Sequence, residues 1–261
     1  MAGPSSPVAR RLTLAAVLLT IGTGGTDVLS FTRLGGVFTS VMTGNLVLLG
    51  LAAARMSAGL AVRAAVSITG YVLGVAAGAR VIALTPPRRR EARRRREAGQ
   101  RRREAGRRHQ AGRRSGPREA WPAMVTAVLV IELVLLAALA AGWELAGPRP
   151  AGAGRYLLQV TAAVAMGMQS AAARALGRGE YATTYLTGTL TSMIAGMVTP
   201  GTRRWPGWRQ PGALLALAAG GLMSGILIAR APAAVPAVTL APLCFVLALR
   251  AATRPGARTE R

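Results

Sequence analysis

The residues most able to do chemistry are two carboxylates and two short threonine-glycine motifs. Asp27 is the only aspartate in the chain and falls inside a long apolar run, and Glu132 lies in the middle of another. An ionised carboxylate at the centre of a membrane helix costs roughly 2.5–3.5 kcal/mol on insertion scales, so each is a candidate proton or cation carrier. Each has a structural alternative, a helix-to-helix hydrogen bond or an ion pair with Arg33, Arg80 or Arg174. Thr43-Gly44-Asn45 and Thr187-Gly188-Thr189 form the second set. A threonine hydroxyl can cap the first turn of a short helix, glycine admits a close backbone or ligand, and a helix N-terminus attracts anions. Two such ends facing each other from opposite leaflets would make a positively polarised site with no charged side chain. The same small residues also serve where helices pack closely. Asn45, Gln159 and Gln169 either line a path or join helices. Asp27, Thr43, Gly44, Asn45, Glu132, Gln169, Thr187, Gly188 and Thr189 are therefore the candidate path for a solute or proton.

Other chemistries are disfavoured by what is missing. The one cysteine, Cys244, and the one histidine, His109, support neither a disulfide framework nor a metal cluster. The Gly22-Thr23-Gly24-Gly25 cluster superficially resembles a phosphate loop, but no strand precedes it and no lysine follows. No paired-carboxylate motif occupies the apolar runs, so neither an enzyme nor a cofactor is expected.

These residues must be held by helices in a bilayer. The chain has 261 residues, 51% of them hydrophobic, a mean hydropathy of +0.36 and a formal charge of +24. A soluble domain seldom combines these values, and here the charge is segregated from the apolar runs. Crossing ~30 Å of hydrocarbon takes about 20 apolar residues as a helix. Six segments qualify, near 12–32, 60–85, 121–146, 156–176, 211–230 and 233–251. Two more, 37–54 and 183–199, are shorter or more polar and carry the threonine-glycine motifs. The first run follows Arg10 and Arg11 like a signal peptide, but it is long and lacks a small-residue cleavage pattern, so it reads as a retained span.

Residues 87–119 hold 15 arginines against four glutamates, with RRREAGQ followed at once by RRREAGR. Such a loop stays cytoplasmic and docks on anionic lipid headgroups, each arginine near the surface gaining roughly 1 kcal/mol. Nucleic acid is a poor alternative, because no aromatic residue is interleaved to stack on bases. The expected organisation is a cytoplasmic N-terminus (1–11), first-half helices (12–86), the basic loop (87–119), the remaining helices (120–251, with a second repeat from about 156) and a cytoplasmic tail (252–261).

The two halves resemble each other. Asp27 precedes Thr43 by 16 residues and Ser170 precedes Thr187 by 17, and the order strong, weak, strong, strong recurs. If all eight segments crossed, Arg10, Arg11, Arg203, Arg204, Arg209 and four C-terminal arginines would lie outside. If the weak segments are re-entrant, six spans remain and most of the arginines fall inside. Three spans per half make an inverted repeat, with the half-helices meeting near the bilayer midplane.

The stretch from Gly24 to Leu49, with GTDVLSF, LGGVF and MTGNLVLL, together with GMQSAAAR and TYLTGTLT, resembles the YoaK-type domain-of-unknown-function family of bacterial membrane proteins. The resemblance spans essentially the whole chain outside the tail and the basic loop. Val28 and Ser170 depart from its pattern, which reads alanine and asparagine there. It implies a multi-span inner-membrane protein and says nothing about activity. The expected protein is an all-α polytopic bundle of about six spans plus two half-helices, in the bacterial cytoplasmic membrane with both termini inside. It is expected to be a secondary transporter of a small polar or anionic solute, the alternative being a non-transporting scaffold or accessory protein.

Overall fold

A computed structural model describes residues 7–84, 123–176 and 209–252, together with Leu190, Thr191 and Ile194. The basic loop, His109, Thr187, Gly188 and Thr189 lie outside the described residues. Those described are helical with no strand: α1 (Pro7–Arg33), α2 (Met42–Ala54), α3 (Ala58–Ala83), α4 (Ala123–Ala146), α5 (Gly152–Ala175), α6 (Arg209–Arg230) and α7 (Val235–Ala251), the last two joined by a 3₁₀ turn at Pro232–Ala234.

Five helices are long and apolar enough to cross a membrane, namely α1, α3, α4, α6 and α7 with its preceding turn. Large apolar side chains point outward from them, among them Leu73, Val134, Leu215 and Phe245. A water-soluble surface rarely carries so much exposed apolar area, whereas hydrocarbon accommodates it. The expected sixth span, 156–176, corresponds to α5, whose 24 residues reach about 36 Å but whose composition is more polar. Its position explains this. One continuous face of α5, from Leu158 to Ala172, is buried against neighbouring helices, which shield Gln159 and Gln169 from lipid.

Glycine contacts fix the helix directions. Gly220 abuts Ile21, Gly24 abuts Leu217, and the Arg33 side chain reaches the Ile228 carbonyl, so α6 runs parallel to α1. Gly70, Gly74 and Gly78, spaced one turn apart on α3, abut Ala163, Val164 and Ala171 in order, so α5 runs parallel to α3. Spacing of this kind lets helix backbones approach closely where side chains would hold them apart. Gly22 and Gly25 meet Thr239 and Val238, which sets α7 antiparallel to α1. Gly142 packs on Leu158, and the Trp143 Nε1–H donates to the Pro232 carbonyl at 3.0 Å, tying the end of α4 to the turn before α7. The six long helices thus alternate in direction, and Pro7, Leu84, Ala123, Leu176, Arg209 and Ala252 all lie at one face.

Helix α2 is different. Its 13 residues span about 20 Å, too short to cross. α1 ends in a turn in which Gly35 (φ +119°) and Gly36 (φ +75°) take left-handed values, and the Gly36 N–H bonds back to the Phe31 carbonyl at 3.1 Å. The chain then doubles back until the Phe38 ring stacks on Phe31, with centroids 4.9 Å apart. α2 starts from that depth and runs back out packed on α3, which follows it in the opposite direction. The first weak segment is a re-entrant half-helix, as its length and polarity suggested.

Candidate functional site

The reversal between α1 and α2 places residues 34–41 inside the bundle, where every backbone polar group needs a partner that water cannot supply. Four side chains partner five of them. Asp27, 6% exposed on α1, accepts the Thr39 N–H at 2.8 Å, the Thr39 hydroxyl at 3.0 Å and the Ser40 N–H at 2.9 Å through Oδ1, while the Ser40 hydroxyl donates to Oδ2. Four donors converge on the two oxygens, replacing the water a buried carboxylate would otherwise lose.

Asn45, fully buried one turn into α2, clamps the peptide unit on either side of Phe38. Its Oδ1 accepts the Phe38 N–H at 2.9 Å and its Nδ2 donates to the Phe38 carbonyl at 2.6 Å. Only an amide offers a donor and an acceptor in this geometry. Ser67 on α3 donates to the same carbonyl, and Arg63 Nε donates to the Gly35 carbonyl at 2.8 Å. The Gly35 position also lies against the Arg63 side chain, where a Cβ would come within 2.3 Å of Cδ.

The clamp extends to α5. The Gln159 Nε2 donates to the Arg63 carbonyl at 2.6 Å, and the Tyr71 hydroxyl donates to Ser170 Oγ at 2.9 Å. Lower down, Gln169 Nε2 donates to the Leu19 carbonyl at 3.0 Å and to Thr23 Oγ1 at 2.7 Å, joining α5 to α1.

The sequence-derived path residues therefore divide. Asp27 and Asn45 hold one structure, the re-entrant segment. Thr43 does not cap α2: the N-cap is Val41, no side chain bonds there, and Thr43 is exposed. Asp27 instead reaches across from α1 to the amides of the turn ahead of the helix, because the doubled-back chain brings Thr39 and Ser40 to its level. Gly44 lies under Phe38, where a Cβ would be 3.2 Å from the ring. Gln169 joins helices. Glu132 stands apart on α4, 0% exposed and with neither oxygen hydrogen-bonded. Sequence reading missed Thr39, Ser40, Ser67 and Arg63. The adjacent hydroxyl pair immediately before the MTGN motif was the available signal. Among the described residues no group of acidic, histidine and cysteine side chains is arranged to hold a metal.

Residues 15–251 match the family described as "Protein of unknown function (DUF1275)", from the third turn of α1 to the end of α7, and the chain belongs to that family. No curated protein and no solved structure matches it.

Proposed function

We propose that the protein is a secondary transporter of a small polar or anionic solute, built as an inverted repeat. The observation that carries the proposal is the register of the two closest helix pairs. On α1, Gly24 packs on the Leu217 carbonyl of α6, and Gly220 of α6 packs on the Ile21 carbonyl, three residues before Gly24. On α5, Gly167 packs on the Tyr71 carbonyl of α3, and Gly74 of α3 packs on the Val164 carbonyl, three residues before Gly167. The spacing from Leu217 to Gly220 matches that from Tyr71 to Gly74. Exchanging α1 with α5 and α6 with α3 maps one set of contacts onto the other with every helix reversed. Asp27 and Ser170 fall on equivalent positions, each three residues after its glycine.

Repeats of opposite orientation offer two alternative packings related by symmetry, which is the physical basis of alternating access. The half-helix α2, packed on α3, is the element of broken backbone that such a site uses. Asp27 bonds the Thr39 and Ser40 amides just ahead of the half-helix, and α2 itself carries no side-chain cap, so both expected solute classes, small polar and anionic, stay within the proposal. Termini and basic loop are assigned to the cytoplasm, because the face bearing Pro7, Leu84, Ala123 and Ala252 is the one that meets the arginine-rich loop.

A second reading has its own support. Asp27, Asn45, Gln159 and Gln169 all bond within the chain, as they would in a scaffold or accessory protein that transports nothing. Two measurements separate the readings. Reporter fusions after residues 57, 110, 152 and 207 should report outside, inside, outside and inside. Position 207 outside would sink the inverted repeat. Uptake of a broad panel of polar solutes into liposomes holding the protein should exceed that into empty vesicles, and equality across the panel would favour the scaffold.

A further inference from the structure

Glu132 is a charge-capable group that neither the clamp nor the helix contacts use. It lies on the face of α4 that also buries Val128, Leu129, Leu136 and Leu139, so it points into the apolar core rather than to lipid. Its side chain is 0% exposed, and neither Oε1 nor Oε2 has a hydrogen-bond partner among the described residues. A carboxylate in this setting would lack both water and donors, which is far costlier than burying the neutral acid.

The depth of Glu132 follows from the contacts at the end of α4. Gly142 meets Leu158 and Trp143 meets Pro232, so in these antiparallel pairs Glu132 comes level with Met168 and Gln169 on α5 and with Leu243 on α7. That level is also where Gln169 bonds Thr23 of α1. The helices packed on α4 are α5, α7 and α3. On α5 the nearest charge is Arg174, at the helix end and exposed. On α7 Cys244 faces outward and Arg250 lies a further two turns on. On α3 the titratable groups nearest this depth are Tyr71, bonded to Ser170, and the exposed Arg80. None of these reaches the Glu132 carboxyl, nor does Glu144 of its own helix, which is exposed.

We propose that Glu132 is the proton-binding site of the bundle: its carboxyl carries a proton while packed between α4, α5 and α7, and releases it when that interface opens to water. Asp27, saturated by four donors, holds the half-helix and does not take part. This rests on the transport reading for its purpose, but not for its test. Among the described residues no group of acidic, histidine and cysteine side chains gathers at Glu132 to hold a metal cation.

The test uses the full chain in liposomes of neutral phospholipid and dicyclohexylcarbodiimide, an apolar reagent for protonated carboxyl groups within membranes. The acid gives its proton to a carbodiimide nitrogen as its oxygen bonds the central carbon, and the adduct rearranges to a stable N-acylurea that mass spectrometry locates. Glu132 should be labelled and Asp27 not, with the labelling rate falling about tenfold per pH unit once the group has ionised. Glu132→Gln should remove the adduct while eluting as a folded protein, and Glu144→Gln should leave it in place. No adduct at Glu132, an adduct at Asp27 instead, or labelling that does not change with pH would overturn the assignment. No solute is present, so a chain that transports nothing can still pass, and a working transporter can still fail.

Discussion

The Asp27 carboxylate accepts the backbone N–H of Ser40 at 2.9 Å, linking the last third of the first span to a residue that has doubled back beside it. This one bond, with its three companions, sets how deep the half-helix begins. Asp27→Asn replaces two acceptor oxygens by one and puts an amide N–H against a hydroxyl or amide donor. Hydrogen bonds to a charged group contribute about 1.5–3 kcal/mol, so the variant should lose about that much stability in detergent. Thermal unfolding followed by fluorescence measures it, and an unchanged midpoint would mean the clamp is dispensable.

Asn45 should be equally intolerant of an isosteric change. Asn45→Asp keeps an acceptor for the Phe38 N–H but faces the Phe38 carbonyl with oxygen rather than a donor. Asn45→Leu leaves both groups unpaired inside the bundle. A loss of about 1–3 kcal/mol for each unmet buried group is expected, seen as faster proteolysis within 34–41. Equal cleavage of variant and native protein would count against the geometry described.

The glycine contacts make a graded series. A Cβ at Gly220 would sit 1.9 Å from the Ile21 carbonyl and one at Gly74 would sit 2.1 Å from the Val164 carbonyl, both backbone atoms that cannot swing aside. Gly220→Ala and Gly74→Ala should each destabilise by about 1–3 kcal/mol. Gly225→Ala, on the same helix as Gly220 but with nothing within 4 Å, should be neutral or stabilising by about 0.5–1 kcal/mol. A Gly225 variant as damaged as the Gly220 one would show that propensity, not helix approach, governs the site.

The turn joining α2 to α3 offers a stabilising change. Met56 has φ +51°, with its N–H on the Ala53 carbonyl at 3.2 Å and the Ser57 N–H on the Ala52 carbonyl at 2.9 Å, the paired bonds of a Schellman motif. That position favours glycine, and a left-handed residue with a Cβ costs roughly 1–2 kcal/mol. Met56 is 90% exposed, so little packing is lost by Met56→Gly, which should raise the unfolding midpoint. A lowered midpoint would show that the Met56 side chain has a role beyond the turn.

Much of this architecture could be read from local pattern. The apolar runs, the short length of 37–54 and its threonine-glycine punctuation already separated a half-helix from the full spans. The distances from Asp27 to Thr43 and from Ser170 to Thr187 suggested that Asp27 and Ser170 correspond, and the proposed repeat rests on that spacing together with the glycine contacts. The role of Thr43 was misplaced, because a cap read along the chain takes no account of a carboxylate arriving from another helix. α5 was counted as a span on length and mean polarity, although its share of polar residues makes sense only once its neighbours are known.

Membrane residence and the uneven placement of charge were determined by the sequence alone, since the free energy of moving a segment into hydrocarbon is close to a sum over its own residues. The fates of the two buried carboxylates were decided only by the tertiary structure. Asp27 and Glu132 look alike in a hydropathy profile, each a lone acid in an apolar run. One is met by Thr39 and Ser40 because glycines reverse the chain beside it, and the other meets no donor because three apolar helix faces close around it. Hydrogen-bond partners are set by which helices come together, and that is not a local property of any stretch of chain.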